Sequence, residues 1–281
     1  MFVWVTGAGG LVGSSLRKRA HLATTHKEAD VADLDALWRV VHKHPKITHI
    51  INAAAFTNVD LAEEREEEAF LVNAMGPKNL AVIAHDIGAK LVHISTDYVF
   101  GGKGASLLKE EDKTVPCNAY GRTKLQGEKE LLRVLPSATI VRTSWLFGSG
   151  GRTFVTRMVE QMGKREKLLL TNDQWSRPTY VQDLVEALFH MLEVPGVFQF
   201  AGHGITTRYE FALAVREEMK KLGIPVLSEI VPVPSSSFKD RAERPRYSAM
   251  DTHKIEAILG PIRPWHDGLR DFLRERIHAG A

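Results

Sequence analysis

The segment Thr6-Gly7-Ala8-Gly9-Gly10-Leu11-Val12-Gly13 limits what this chain can fold into more than any other stretch. It follows an apolar run from Phe2 to Thr6 and opens a stretch of helical periodicity from Leu11 to Arg19. Glycines at 7, 10 and 13, set between a strand and a helix, predict three things. The chain turns sharply at Gly7, offers bare backbone at Gly10, and packs helix closely on strand at Gly13. No neighbouring side chain calls for three glycines on packing grounds alone, so a ligand is expected. The unpaired N–H groups of the first helical turn suit a pyrophosphate, held by the turn Gly7, Gly9, Gly10, Leu11, Val12 and Gly13. Such a turn suits a dinucleotide.

The rest of the first half fits such a turn. Strand-like runs at Phe2–Thr6, Ala23–Thr25, His49–Asn52, Leu91–Ser95 and Thr139–Arg142 are nearly all apolar, as strands covered on both faces are. Helical periodicity fills Asp33–His44, Asp60–Ile87 and Asn118–Leu135 between them. Alternation of this kind predicts an α/β fold with a doubly wound parallel sheet. Beyond Gly148 it weakens to a strand at Leu168–Thr171, a helix from Gln182 to Glu193 and a strand at Val197–Phe200. The expected division is a dinucleotide-binding domain over 1–147, which also takes in about 176–196, and a smaller C-terminal lobe over 148–281 interleaved with the sheet. Pro232 to Arg246, rich in proline, serine and charge, is read as a loop. The acidic run Glu63–Glu68 is read as a solvated helix face.

Composition narrows the function classes. A net charge of +3 over 281 residues suits small anionic ligands and falls short of a nucleic-acid signal. The apolar runs are strand-sized, so no membrane span is expected. The glycine turn begins by residue 7, which leaves no room for a leader and points to the cytoplasm. The one cysteine, Cys117, offers neither an internal disulfide nor a metal framework, and His42, His44 and His49 are read as exposed imidazoles.

A second cluster carries chemistry. Asn118 is placed to cap a helix bearing Tyr120 and, four residues on, Lys124, so the two side chains share a face. A phenol with a reference pKa of about 10 needs help to exchange protons near pH 7, and a nearby ammonium is expected to favour the phenolate. Lys124 is also suited to hold a cofactor ribose. Thr96 ends the fourth strand, where open α/β sheets bind ligands, and its hydroxyl is suited to bond a reacting oxygen. After the second strand Thr25, His26 and Lys27 precede Glu28, which favours NADPH while leaving NADH open. Arg244 and Arg246 carry the planar fork that grips a diphosphate.

Five strings run along most of the chain in one order: NAAAFTNVD (52–60), STDYVF (95–100), YGRTKLQGE (120–128), RTSWLFG (142–148) and NDQWSRPT (172–179). Together they resemble the dTDP-4-dehydrorhamnose reductase family of the extended short-chain dehydrogenase/reductase superfamily. The resemblance implies a Rossmann-like domain, a smaller substrate-binding lobe, and reduction of the C4 ketone of a nucleotide-linked 6-deoxy sugar. It implies Thr96, Tyr120 and Lys124 as the catalytic set. It lays Ala53, Ala54, Ala55 and Ser95 along the cofactor and puts Asp30 and Val31 by the adenine. Thr96, Asp97, Tyr98, Trp145 and Arg244 fall toward the substrate.

The chain departs from the family in two places. Ser14 or Ser15 stands where some relatives carry an acid linked to a metal-supported dimer contact, so no metal is carried over. Trp175 and Arg177 replace smaller residues, which predicts an altered pocket. A homodimer is expected by analogy only. Two alternatives remain open: a non-catalytic protein like the regulatory subunit of methionine adenosyltransferase, and another nucleotide-sugar reductase or epimerase.

Overall fold

Successive residues of the central strands serve two different cores. Val3, Val5, Ile51, Val92 and Val141 pack on one side of the sheet, while Trp4, Ile50, Leu91 and Ile140 pack on the other. Side chains alternate across a strand, so a run that is apolar at every position must be covered on both faces. The computed structural model, which describes residues 1–102 and 104–280, realises this as a six-stranded sheet with helices on both sides.

Its strands lie in the order Gly196–Phe200, Thr139–Thr143, Lys90–Thr96, His49–Asn52, Val3–Thr6, Leu22–Thr24, and every pair is parallel. The chain leaves the first strand for Leu22–Thr24 on one side, then returns to His49–Asn52 on the other. Such a reversal of strand order opens a crevice beyond the carboxyl ends, where Gly7 and Ala53 follow their strands. This Rossmann-like, doubly wound arrangement agrees with the sequence expectation. The second strand spans Leu22–Thr24, one residue earlier than expected. The stretch that returns to the sheet runs on to Phe200, past 196, because Gly196–Phe200 pairs in register with Thr139–Thr143.

The single long helix expected over Asp60–Ile87 is instead four pieces: Val59–Glu64, Glu66–Phe70, a π-helical turn at Leu71–Met75, and Gly76–Ile87. Pro77 gives the reason for the wide turn. It has no N–H to return to the Asn73 carbonyl, so the ordinary ladder cannot continue there.

The loop reading of Pro232–Arg246 also needs correction. Glu229–Val233 is a strand paired in parallel with Lys167–Thr171, and Ser235–Ser237 forms a short 3-10 turn. This is a two-stranded ribbon, so both strands are edges and Pro232 is tolerated. The C-terminal lobe joins the sheet through shared aromatic packing: the Phe147 ring lies 5.5 Å from Phe211, 5.6 Å from Tyr180 and 6.3 Å from Phe272. Among the described residues, no helix is long and apolar enough to cross a membrane.

Candidate active site

The glycine turn does two separate jobs. At Gly7 the backbone is left-handed (φ +70°), and an added Cβ would lie 2.4 Å from the Ala54 nitrogen; at Gly13 it would lie 2.1 Å from the Gly7 carbonyl oxygen. Packing alone therefore demands glycine at both, the two positions where the sequence reading puts a sharp turn and a close helix–strand contact. Gly9 and Gly10 are different: a Cβ would meet only ordinary contacts at 3.8 and 3.5 Å. Both border open hollows instead. A side chain there would fill space beside the first-turn N–H groups, which is the cradle that a pyrophosphate needs.

Three adjoining hollows run across the carboxyl ends of the strands. The first, about 410 Å³, lies between the glycine turn and Thr25, His26, Asp30 and Val31, with Ala53, Ala54 and Ala55 along one wall. Lys27 does not border it, and the Glu28 carboxylate turns back to accept the Thr25 N–H (2.7 Å) and hydroxyl (2.9 Å). Those two bonds, the backbone one foremost, hold Glu28 below the usual carboxylate range. The second hollow, about 580 Å³, shares Gly9, Gly10, Ala53 and Ala55 with the first and adds Leu11, Val12, Ser95, Thr96, Asp97, Tyr98, Tyr120 and Trp145. The third, about 400 Å³, shares Tyr98, Trp145, Phe154, Arg157 and Arg208 with the second and extends to Leu169, Gln174, Phe238 and Arg244.

Tyr120 sits where the expected helix delivers it. Asn118 caps the helix Ala119–Val134 through its side-chain oxygen, which accepts the Gly121 N–H at 2.8 Å. The Tyr98 ring meets Tyr120 edge-on at 5.8 Å. Burial drives the phenol well above its ordinary pKa, and the neighbouring Thr96 hydroxyl only partly offsets this. The single Thr96 hydroxyl proton is donated to Asp97 (3.1 Å), and the hydroxyl oxygen accepts the Tyr98 N–H (3.2 Å).

Lys124 departs from expectation. It does not border the hollow, and burial is what dominates the Tyr120 phenol. The Lys124 ammonium bonds the Ile94 carbonyl (2.7 Å) and lies 3.1 Å from His93 Nε2, while burial lowers it to about 8. His93, kept neutral by its own burial and by Lys124, reaches Asn52 at 3.0 Å. Ser95 likewise lines the hollow but commits its hydroxyl to Glu128, a fully buried carboxylate that Arg142 grips with two bonds of 3.0 and 2.8 Å. Neither His93 nor the Glu128–Arg142 pair was singled out from sequence, because partners 14 and 31 residues apart show no local pattern.

On the substrate side, Asp97 accepts hydroxyls from Ser248 (2.5 Å) and Ser176 (3.4 Å), and burial raises it to about 6. Trp145 adopts a left-handed backbone (φ +42°), rare for a bulky residue, and one face of its ring is covered by the Arg208 guanidinium at 3.7 Å. Arg244 borders the third hollow yet is already paired with Asp60 (2.7 Å) and Asp240 (2.7 Å). Arg246 is exposed and borders none of the three hollows, its carbonyl accepting the Trp175 N–H.

Trp175 and Arg177, expected to alter the pocket, border none of the three hollows. Trp175 faces outward, and Arg177 is buried on the Gly202 and Met250 carbonyls. Ser14 and Ser15 bond back to the Leu11 carbonyl. Among the described residues, no group of three or more His, Cys, Asp or Glu side chains is placed to hold a metal.

Comparison with known proteins gives a consistent picture. The family model described as "RmlD substrate binding domain" matches residues 1–277. The dTDP-4-dehydrorhamnose reductase of Mycolicibacterium smegmatis is 38% identical over 95% of this chain and 83% of its own length. A dTDP-4-keto-6-deoxy-D-glucose reductase of Streptomyces niveus is also 38% identical, over 94% of each chain. Among solved structures, the dTDP-4-dehydrorhamnose reductase of Bacillus anthracis in complex with NADP superposes with a TM-score of 0.91. It shows 32% identity and covers 98% of this chain and 100% of that one.

Proposed function

The chain belongs to the dTDP-4-dehydrorhamnose reductase family, an oxidoreductase family, and from that premise we propose that it reduces dTDP-4-dehydro-6-deoxy-L-mannose to dTDP-L-rhamnose with NADPH. One observation carries the reading: a single hollow is bordered at once by Gly9, Gly10, Leu11 and Val12 and by Thr96 and Tyr120. A cofactor cradle and a proton donor therefore open onto the same space, as a carbonyl reduction requires.

Bound NADPH supplies the hydride that the sugar C4 receives. Tyr120 gives its phenolic proton to the C4 oxygen as negative charge develops there. The phenol is protonated when the substrate arrives, and although burial makes it a weaker acid than a free phenol, it is still a stronger acid than the alcohol that its proton completes. Thr96, which neighbours Tyr120, turns its hydroxyl proton from Asp97 to the phenolate that remains. Lys124 supports the site from beneath, anchoring the Tyr120 helix to the Ile94 carbonyl, and a cofactor ribose remains its expected ligand. Gly7 and Gly13 shape the turn, while Gly9, Gly10, Leu11 and Val12 meet the pyrophosphate. Asp30 and Val31 flank the adenine, and Ala53, Ala54, Ala55 and Ser95 line the cofactor's path. NADPH is favoured over NADH because Glu28, the acid expected to hold a free ribose hydroxyl, is spent on Thr25. Residues 148–281, less the stretch that returns to the sheet, form the substrate lobe.

The Streptomyces relative named for a D-glucose ketosugar favours a second reading, a reductase of the epimeric ketone. NADPH oxidation is measured with each dTDP-4-keto-6-deoxy sugar, and the products are identified. Turnover with the L-manno ketone, cut about 10²- to 10⁴-fold in Tyr120→Phe, is the expected result. Full activity in that variant overturns the proton-donor role. An absence of NADPH consumption with either sugar overturns the reductase reading.

A further inference from the structure

Arg208 borders both the second and the third hollow, at the point where they meet. Among the described residues, neither it nor Arg157 beside it has a carboxylate within ion-pair distance. Arg244, in the same third hollow, has two. After Tyr98, the group that favours the Arg208 charge is Asp97, whose oxygens are occupied by Ser248, Ser176 and Thr96. Arg208 rests instead on aromatic faces, its guanidinium carbon 3.7 Å over Trp145 and 4.8 Å over Phe154. Those faces hold the side chain in place while leaving its in-plane N–H donors unused. Arg157 and Arg244 both repel it, and burial together with that repulsion draws it down to about 10.

Two guanidinium groups facing one cleft repel each other, and an anion between them turns that repulsion into attraction. We propose that Arg208 and Arg157 clamp the diphosphate of the nucleotide sugar, with the sugar lying toward Thr96 and Tyr120 and the base toward Leu169 and Phe238. Arg208 has a further effect as a positioning residue: by covering one face of Trp145 it leaves only the opposite face for the sugar. Arg244, held by Asp60 and Asp240, contributes little charge to the ligand. This inference rests on the nucleotide-sugar reading above, and it differs from the sequence expectation that Arg244 grips the diphosphate.

The full-length protein is titrated calorimetrically with dTDP, thymidine and NADPH, each separately. Wild type should bind dTDP at least tenfold more tightly than thymidine. Arg208→Gln and Arg157→Gln should each weaken dTDP about 10- to 100-fold, the range for losing charge-assisted hydrogen bonds. Arg208→Lys should recover part of the loss, because it restores charge without the fork. NADPH affinity should stay within about twofold in all three, which shows that the fold is intact. Arg244→Gln should change dTDP affinity less than either. Equal affinity for dTDP and thymidine, or a loss confined to Arg244→Gln, overturns the clamp. A protein that binds dTDP as described but turns over no ketosugar keeps the clamp and loses the reductase reading.

Discussion

Asp97 shows how far burial can move a single group. Its carboxyl rises from 3.8 to about 6 because desolvation outweighs the hydrogen bonds from Ser248 and Thr96. In the unfolded chain the proton leaves more readily than in the folded one, so raising the pH from below 4 to above 6 favours unfolding. The full effect is on the order of 3 kcal/mol and is in place at neutral pH. Asp97→Asn removes it. Urea unfolding of wild type and variant between pH 4 and 7 should show the variant gaining on wild type by that order as pH rises, whereas parallel curves would contradict the argument. The same balance explains why Tyr120 was readable from its spacing but its proton affinity was not. An i,i+4 lysine promised a lowered phenol; the fold turns that lysine onto the Ile94 carbonyl and leaves burial to decide. Arg208 was missed for a related reason, since its meaning lies in Trp145, 63 residues earlier, and in the carboxylates it lacks.

Elements repeat the lesson at larger size. The strands were readable because a doubly covered sheet needs unbroken apolar runs, and the turn at Gly7 was readable because few chains place glycines so. The break at Leu71–Met75 was also signalled, by Gly76-Pro77 inside a helical pattern, but the acidic and apolar periodicity on either side masked it. The spacing also assigns the turn to Gly7, bare backbone to Gly10 and close packing to Gly13, and the distances give that division its size. Two variants test it. Gly13→Ala drives a Cβ into the Gly7 carbonyl and should cost about 3 kcal/mol in chemical denaturation. Gly10→Ala meets no clash within the protein and should unfold like wild type, yet bind NADPH at least tenfold more weakly by fluorescence titration. Equal stability losses in the two would undo the distinction. One further tie holds elements together: Glu128, on the Tyr120 helix, meets Arg142, on the fifth strand, out of solvent. Glu128→Ala strands a buried guanidinium, and a loss of about 3–5 kcal/mol is expected.

For the whole molecule, the two cores imply different degrees of independence. The core on the Trp4 face is built mostly from residues before 147, with Leu37, Leu80, Ile83 and Leu131 closing over the sheet. The opposite core mixes Val3, Val5, Ile51 and Val92 with Phe211, Trp265, Phe272 and Leu273 from the far end of the chain. That face of the sheet therefore takes only part of its cover, from the helix Leu11–Leu16, before residue 147, and the rest comes from Val181–His190 and the elements that follow it. The sheet cannot be a self-sufficient domain in the energetic sense even where it is a recognisable one, because exposing that face costs on the order of 25 cal/mol for each Å² uncovered. Two consequences follow for experiment. Unfolding in urea should be a single transition, with far-ultraviolet circular dichroism and tryptophan fluorescence giving coincident curves. A fragment ending at residue 147 should show neither a cooperative transition nor NADPH binding. A fragment that folds and binds NADPH would mean that helices on the Trp4 face alone can hold the glycine turn in shape. The lobe would then be an added cap over the diphosphate and the base, rather than the second half of the core beneath the site.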